Sequence, residues 1–242
     1  MMFCLKCWDT KMKVIILCGG LGTRLSEETK KIPKPMIKIG ELPILLHIMN
    51  IYSKHGFNDF ILALGYKKNI IKSYFKNKKF KDWNIKTVDT GKNTLTGTRL
   101  LKLKKFIEPK SNFFLTYGDG VTNLNIKKLY AFHKKHKKCA TVTAVHPPAR
   151  FGELFISNKS VKKFEEKNQT NMGWINGGFF IFKSDVFDYI PKKQCMLERD
   201  PMKNLVKKNE LAAYKHNGFW QCMDTLRDKK LLSEIWRKKK NW

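Results

Sequence analysis

Four short polar clusters follow apolar runs in this sequence, and each carries residue types suited to handling phosphate. The first is Leu17-Cys18-Gly19-Gly20-Leu21-Gly22-Thr23-Arg24, a glycine-rich turn closed by an arginine. Gly19, Gly20 and Gly22 let backbone N–H groups approach a phosphate chain without Cβ interference, as an anion nest requires. No Gly-Lys-Ser/Thr follows, so this is not a P-loop, and Leu25 stands where the dinucleotide fingerprint has its third glycine. Arg24 can fork onto terminal phosphates, whereas Lys34 offers a compact charge for an α-phosphate. Pro33 and Pro35 flank Lys34 and predict an extended backbone there.

The second cluster, Tyr117-Gly118-Asp119-Gly120, sets a carboxylate between glycines at the end of an apolar strand. That arrangement suits a Mg²⁺ ligand which lets phosphates come close, although Asp-Gly is also a common turn pair. The third, Phe219 to Asp224, brings a second aspartate to the start of the last helix, where it could be an N-cap and nothing more. Taken with a phosphate loop, Asp119 and Asp224 fit one metal held by two carboxylates and substrate oxygens. The fourth is Glu166-Lys167 followed by Asn176-Gly177-Gly178. Here Lys167 can hold a sugar phosphate and Asn176 can hydrogen-bond sugar hydroxyls, but Lys167 lies among other lysines and its spacing alone would leave it on the surface.

These clusters need elements to position them. Lys13–Leu17, Asp59–Leu64, Ile85–Asp89 and Asn112–Tyr117 read as buried strands. Between them, Pro43–His55 (closed by Gly56), Lys68–Lys76 and Gly97–Ile107 read as helices. Strands alternating with helices imply right-handed βαβ units in a Rossmann-like α/β fold, with a mostly parallel mixed sheet flanked by helices. Ligands then collect beyond the carboxyl ends of the strands. After a helix at Asn125–Lys138, strands at 139–145, 152–157, 161–165 and 174–182 suggest an antiparallel extension of the same sheet over the active site. A basic helix, Thr225–Lys239, closes a single domain over residues 12–242. Residues 1–11 read as a dispensable extension, with Met12 as an alternative start.

The formal charge is +29, yet all but six of the 49 basic residues are lysine, spread over nearly every helix. Base readout favours arginine, and no aromatic–basic stacking motif appears. A solvated basic surface that draws in anionic substrates is therefore expected, with no nucleic-acid or membrane partner. The six cysteines form no paired framework and no export signal precedes them, so free thiols in a cytoplasmic protein are expected. Cys4-x-x-Cys7 lacks the further ligands zinc needs, and His133-x-x-His136, surrounded by lysines, reads as exposed helix surface.

The set GGLGTR, KPM, VDTG, YGDG, EEK, INGG and WQCMDTLRD, in this order, resembles the nucleotidyltransferases that make nucleotide sugars, and among them the glucose-1-phosphate cytidylyltransferases. The resemblance covers Lys13 to Trp236 and rests further on Leu25–Thr29, Leu95–Arg99, Pro147–Gly152 and Met223–Asp228. It implies that Leu17, Cys18, Gly19, Gly20, Leu21, Gly22, Thr23 and Arg24 hold CTP, with Lys34 on the α-phosphate. It implies nucleotide contacts for Thr94, Arg99 and Gly118, Mg²⁺ ligation by Asp119 and Asp224, and sugar-phosphate contacts for Lys167 and Asn176. The implied reaction joins CTP and glucose 1-phosphate into CDP-glucose for deoxysugar and surface-glycan synthesis, with Arg24, Lys34 and Asp119 as the catalytic groups. Another base (dTTP, UTP or GTP), another sugar 1-phosphate, or a non-catalytic nucleotide-sugar sensor remain as rivals. Asn168 replaces the family's usual proline, and the Phe75–Val88 stretch is shorter than in bacterial members by roughly 20 residues, a whole loop in scale. That region helps those members assemble subunits, so a homo-oligomer remains an open option here.

Overall fold

The computed structural model describes residues 12–78, 80–147, 152–165, 173–239 and Trp242. The expected extension at 1–11, Lys167 and most of the 147–152 stretch lie outside the described residues.

The strands are β1 (Lys13–Cys18), β2 (Lys38–Ile39), β3 (Leu42–Pro43), β4 (Asp59–Leu64), β5 (Asn84–Asp89), β6 (Asn112–Tyr117), β7 (Gly120–Thr122), β8 (Ala140–Val145), β9 (Glu153–Ser157), β10 (Ser160–Glu165), β11 (Ile175–Lys183), β12 (Leu211–His216) and β13 (Trp220–Cys222). The helices are α1 (Ser26–Thr29), α2 (Ile44–Ser53), α3 (Lys68–Asn77), α4 (Thr96–Leu101), α5 (Ile126–His136), α6 (Asp200–Lys207) and α7 (Leu226–Lys239). Seven strands form one sheet in the order β12-β8-β11-β6-β1-β4-β5. Only β11 runs against its neighbours, pairing antiparallel with both β6 and β8.

The apolar runs dictate this arrangement. In β1, alternate side chains serve opposite faces: Val14, Ile16 and Cys18 join the core under α2 and α5, while Ile15 and Leu17 join the core on the other side. A strand buried on both faces needs no polar alternation, and β1 has none after Lys13.

The later strands divide differently from the sequence expectation. β8 and β11 do extend the main sheet, but β9 and β10 pair only with each other as a separate ribbon. The expected helix over 97–107 also ends early, at Leu101, with a 3₁₀ turn at Lys104–Phe106. His133 is not surface: it is 1% exposed. Its ring nitrogens bond the Thr141 hydroxyl at 2.7 Å and Asn112 Oδ1 at 3.3 Å, and His136 reaches the same hydroxyl at 2.7 Å. The lysines around His133 mark the outer face of α5, and a 3.6-residue period turns His133 inward with Leu129 and Tyr130.

Candidate active site

Two ladders converge at the carboxyl ends of the parallel strands. Tyr117 ends β6, and Gly118 donates back to the Leu17 carbonyl of β1 at 3.2 Å. Just beyond, β7 pairs antiparallel with β13, placing Gly120 opposite Cys222. Met223 N–H donates to the Asp119 carbonyl at 2.8 Å. This three-residue ladder is what brings Asp119 and Asp224 together from distant parts of the chain.

Their carboxylates meet on one ammonium. Lys34 Nζ donates to Asp119 Oδ2 at 2.6 Å and to Asp224 Oδ1 at 2.7 Å, while Arg24 Nη1 donates to Asp224 Oδ2 at 2.7 Å. Burial alone would lower the Lys34 pKa, but the charge and hydrogen bond of Asp119, joined by those of Asp224, outweigh it and raise it. Burial likewise pushes Asp224 up, and hydrogen bonds and charge from Lys34, with Arg24 adding to them, bring it below the usual carboxylate range. Cys222 lies beside this pair, and burial together with Asp224 and Asp119 pushes its thiol up to about 12, so it stays protonated at neutral pH.

Lys34 departs from the extended backbone its prolines suggest. Pro33 is extended, but Lys34–Met36 is a 3₁₀ turn, closed by Met36 N–H on the Pro33 carbonyl at 2.8 Å. Pro35 sits in the first turn, where its missing N–H costs nothing.

The glycine loop is shaped from behind by a buried arginine. Arg99, 3% exposed, donates to the Leu64, Thr94 and Gly19 carbonyls at 2.7, 2.8 and 3.4 Å and also to the Thr90 hydroxyl. A Cβ on Gly19 would lie 2.1 Å from its guanidinium carbon, so any other residue there would push Arg99 off these bonds. Gly22 adopts φ +66°, a left-handed conformation that glycine enters without cost, and starts the 3₁₀ turn Thr23–Leu25.

Two clefts open from the carboxylates. One, of 520 Å³, is lined by Leu17, residues 19–24, Lys34, Thr94, Thr96, Arg99, Gly118 and Asp119, and adds Lys92, Asn93 and Met196, which the sequence reading did not single out. The other, of 270 Å³, is lined by Asn176, Gly177, Gly178 and Trp220. Arg24, Tyr117, Asp119 and Asp224 line both. Asn176 Oδ1 accepts from Gly178 N–H at 2.8 Å at an irregularity in β11, and Trp220 Nε1 donates to the Gly177 carbonyl at 2.7 Å. Cys18 is wholly buried beneath the first cleft and does not line it.

Asp224 is not the cap of α7. Thr225 Oγ1 accepts from Asp228 N–H at 3.2 Å while Asp228 accepts from Thr225 N–H at 2.8 Å, a reciprocal capping box. Among the described residues no group of three His, Cys, Asp or Glu side chains could hold a metal unaided. The two carboxylates already converge on one positive atom, however, and hard oxygen donors with room for phosphate oxygens fit Mg²⁺.

An α/β sheet with a glycine loop, a lysine and two aspartates gathered at its carboxyl edge defines a phosphate-handling enzyme, and the chain belongs to the nucleotidyl transferase family, whose model matches residues 13–228. Enzymes of this family generally use a divalent metal. The chain is 46% identical to the glucose-1-phosphate cytidylyltransferase of Salmonella typhi, over 95% of this chain and 97% of that one. That alignment spans 250 positions, more than the 242 residues here, so the relative carries positions this chain lacks. The mannose-1-phosphate guanyltransferase of Saccharomyces cerevisiae is 31% identical, over 92% of this chain and 63% of its own length. Among solved structures, HddC from Yersinia pseudotuberculosis complexed with GMP-PN superposes with a TM-score of 0.73 at 25% identity, covering 93% of this chain and 99% of that one.

Proposed function

We propose that this enzyme transfers the cytidylyl group of CTP to glucose 1-phosphate, giving CDP-glucose and pyrophosphate, in the cytoplasm. The observation that carries the reading is the pair of carboxylates, Asp119 and Asp224, that meet on Lys34 and line both clefts, which gives two anionic substrates one meeting point. The choice of base and sugar is supported by the 46% identity to a cytidylyltransferase. Free thiols at Cys18, Cys139, Cys195 and Cys222 suit a reducing compartment. No helix among the described residues is long and apolar enough to cross a membrane.

The glycine loop and Arg24 hold the triphosphate in the larger cleft, Thr94 and Arg99 define its far wall, and Asn176 holds the sugar phosphate in the smaller one; the family resemblance assigns a further sugar-phosphate contact to Lys167. A phosphate oxygen of glucose 1-phosphate attacks the α-phosphorus in line. The bond from that phosphorus to the bridging oxygen breaks, and pyrophosphate leaves with its electron pair. The attacking oxygen is already anionic at neutral pH, so no general base is required. Lys34 neutralises charge on the α-phosphate, and orientation supplies the rest. When bound by Asp119 and Asp224, Mg²⁺ contributes Lewis-acid neutralisation of phosphate oxygens.

The test is pyrophosphate release from CTP, dTTP, UTP and GTP, each with a panel of sugar 1-phosphates. CTP with glucose 1-phosphate is expected to give the highest kcat/KM. If dTTP or UTP exceeds CTP tenfold, about 1.4 kcal/mol, the cytidylyl assignment fails while nucleotidyl transfer stands.

A further inference from the structure

Asp224 projects from the short connection between β13 and α7, where neither ladder nor helix bonds fix its backbone. A second carboxylate does so. Asp228 Oδ2 accepts from Asp224 N–H at 3.0 Å, Thr225 N–H at 2.8 Å and the Thr225 hydroxyl at 2.9 Å. Its Oδ1 accepts from Gln221 Nε2 at 3.3 Å, and that same amide, on a side chain only 3% exposed, donates to the Cys222 carbonyl at 2.8 Å. A capping box accounts for the Thr225 bonds alone. The bonds to Asp224 N–H and to Gln221 reach past the helix and grip the chain on both sides of Asp224. The Asp228 oxygens are thus taken up by these donors, whereas the Asp224 carboxylate is held by Lys34 and Arg24.

We propose that Asp228 is the positioning residue for Asp224: it sets the Asp224 backbone so that the carboxylate points at Asp119 across the junction of the two clefts. The proposal rests on the metal-ligand role assigned to Asp224 above. Groups that orient a metal ligand from behind typically weigh ten- to a hundredfold in affinity.

The experiment is Mn²⁺ binding to the full-length protein with saturating CTP and no sugar phosphate, so that triphosphate oxygens complete the ligand set. It is followed by the water-proton relaxation enhancement that separates protein-bound Mn²⁺–CTP from Mn²⁺–CTP in solution, with the melting temperature of each variant recorded alongside. Asp228→Ala is expected to weaken Mn²⁺ at least tenfold. Asp228→Asn, which keeps one oxygen for the Asp224 and Thr225 N–H groups, is expected to recover part of that loss and serves if the alanine variant does not fold. Thr225→Ala removes the capping hydroxyl but leaves the Asp228–Asp224 bond, so it should lower the melting temperature and shift Mn²⁺ affinity less than twofold. Wild-type Mn²⁺ affinity in both Asp228 variants, with affinity lost in Asp224→Ala, would overturn the positioning role alone. So would a Thr225→Ala protein that loses as much affinity as Asp228→Ala. Undiminished affinity in Asp224→Ala would instead remove the metal assignment on which the proposal stands.

Discussion

The two ends of the central sheet carry hollows of similar size and opposite character. At the carboxyl ends lies the 520 Å³ cleft; at the amino ends lies one of 570 Å³, lined by Lys13, Asn58, Asp59, Asp82, Asn84 and Glu108 among others. Volume does not separate them; the arrangement of charge does. At the amino end, Glu108 is 77% exposed and stands 3.8 Å from Lys13, while Asp59 accepts from the Asn84 amide at 3.1 Å. Such exposed groups are screened and hold little energy. At the carboxyl end, the Lys34 side chain is 14% exposed and held at 2.6 and 2.7 Å by two carboxylates from separate segments. Charges partly withdrawn from water, with the two carboxylates bordering both clefts, are arranged for charged substrates to displace or join.

The largest expected effects follow from that contrast. Asp119→Ala and Asp224→Ala should each lower kcat about a thousandfold, roughly 4 kcal/mol, whereas Asp59→Ala and Glu108→Ala should leave it unchanged. Steady-state rates at saturating Mg²⁺ decide this, and a folded Asp224→Ala enzyme with near-normal kcat would contradict it. Next comes the buried histidine network near the amino ends. His133→Ala should cost about 1–3 kcal/mol of stability by orphaning its hydrogen-bond partners, with kcat retained in the folded protein. Calorimetry beside an activity assay separates the two quantities.

A smaller effect concerns pH. Burial, with His136 and Lys183 adding to it, pushes His133 down to about 3. Between that value and the ordinary histidine value near 6.5, the unfolded chain binds a proton that the folded chain refuses. The His133 contribution to stability is therefore whole above about pH 6.5 and declines as pH falls toward 3. The stability gap between wild type and His133→Gln should narrow from pH 7 to pH 5; a constant gap would contradict the burial argument. Smallest of all, Lys128→Ala and Lys135→Ala on the exposed face of α5 should change stability by no more than about 0.5 kcal/mol and leave the rate alone.

Much of this contrast could be read from the sequence. The continuous apolar runs of β1, β4 and β6 announced a parallel sheet, and the polar clusters after β1 and β6 fell at its carboxyl ends because a parallel sheet allows no other place. The pieces joining those clusters were less legible. β7 and β13 have three residues each, too few for any period to register, yet their ladder sets Asp119 against Asp224. β12 and α6 also went unread, since Leu211–His216 mixes polar and apolar residues at a sheet edge and α6 is short. Arg99 carries no local sign that its guanidinium would turn inward to bond three carbonyls. The Asp224 ambiguity was real at the level of sequence, because Thr225-x-x-Asp228 is itself a capping box and only the bonds show which residue caps. For Lys34 the sequence suggests an extended proline frame, whereas a 3₁₀ turn and two carboxylates fix the lysine in place.

The proposed reaction depends most on Lys34, which we assign to the α-phosphate of the nucleotide. Its most direct test is kcat of Lys34→Ala, measured beside Lys128→Ala with CTP and glucose 1-phosphate at saturating Mg²⁺. A loss of a hundredfold or more, about 2.7 kcal/mol, is expected for removal of a preorganised charge, and Lys34→Arg should recover little because a planar fork cannot replace a point charge held between two carboxylates. A Lys34→Ala enzyme that turns over as fast as Lys128→Ala would contradict the account.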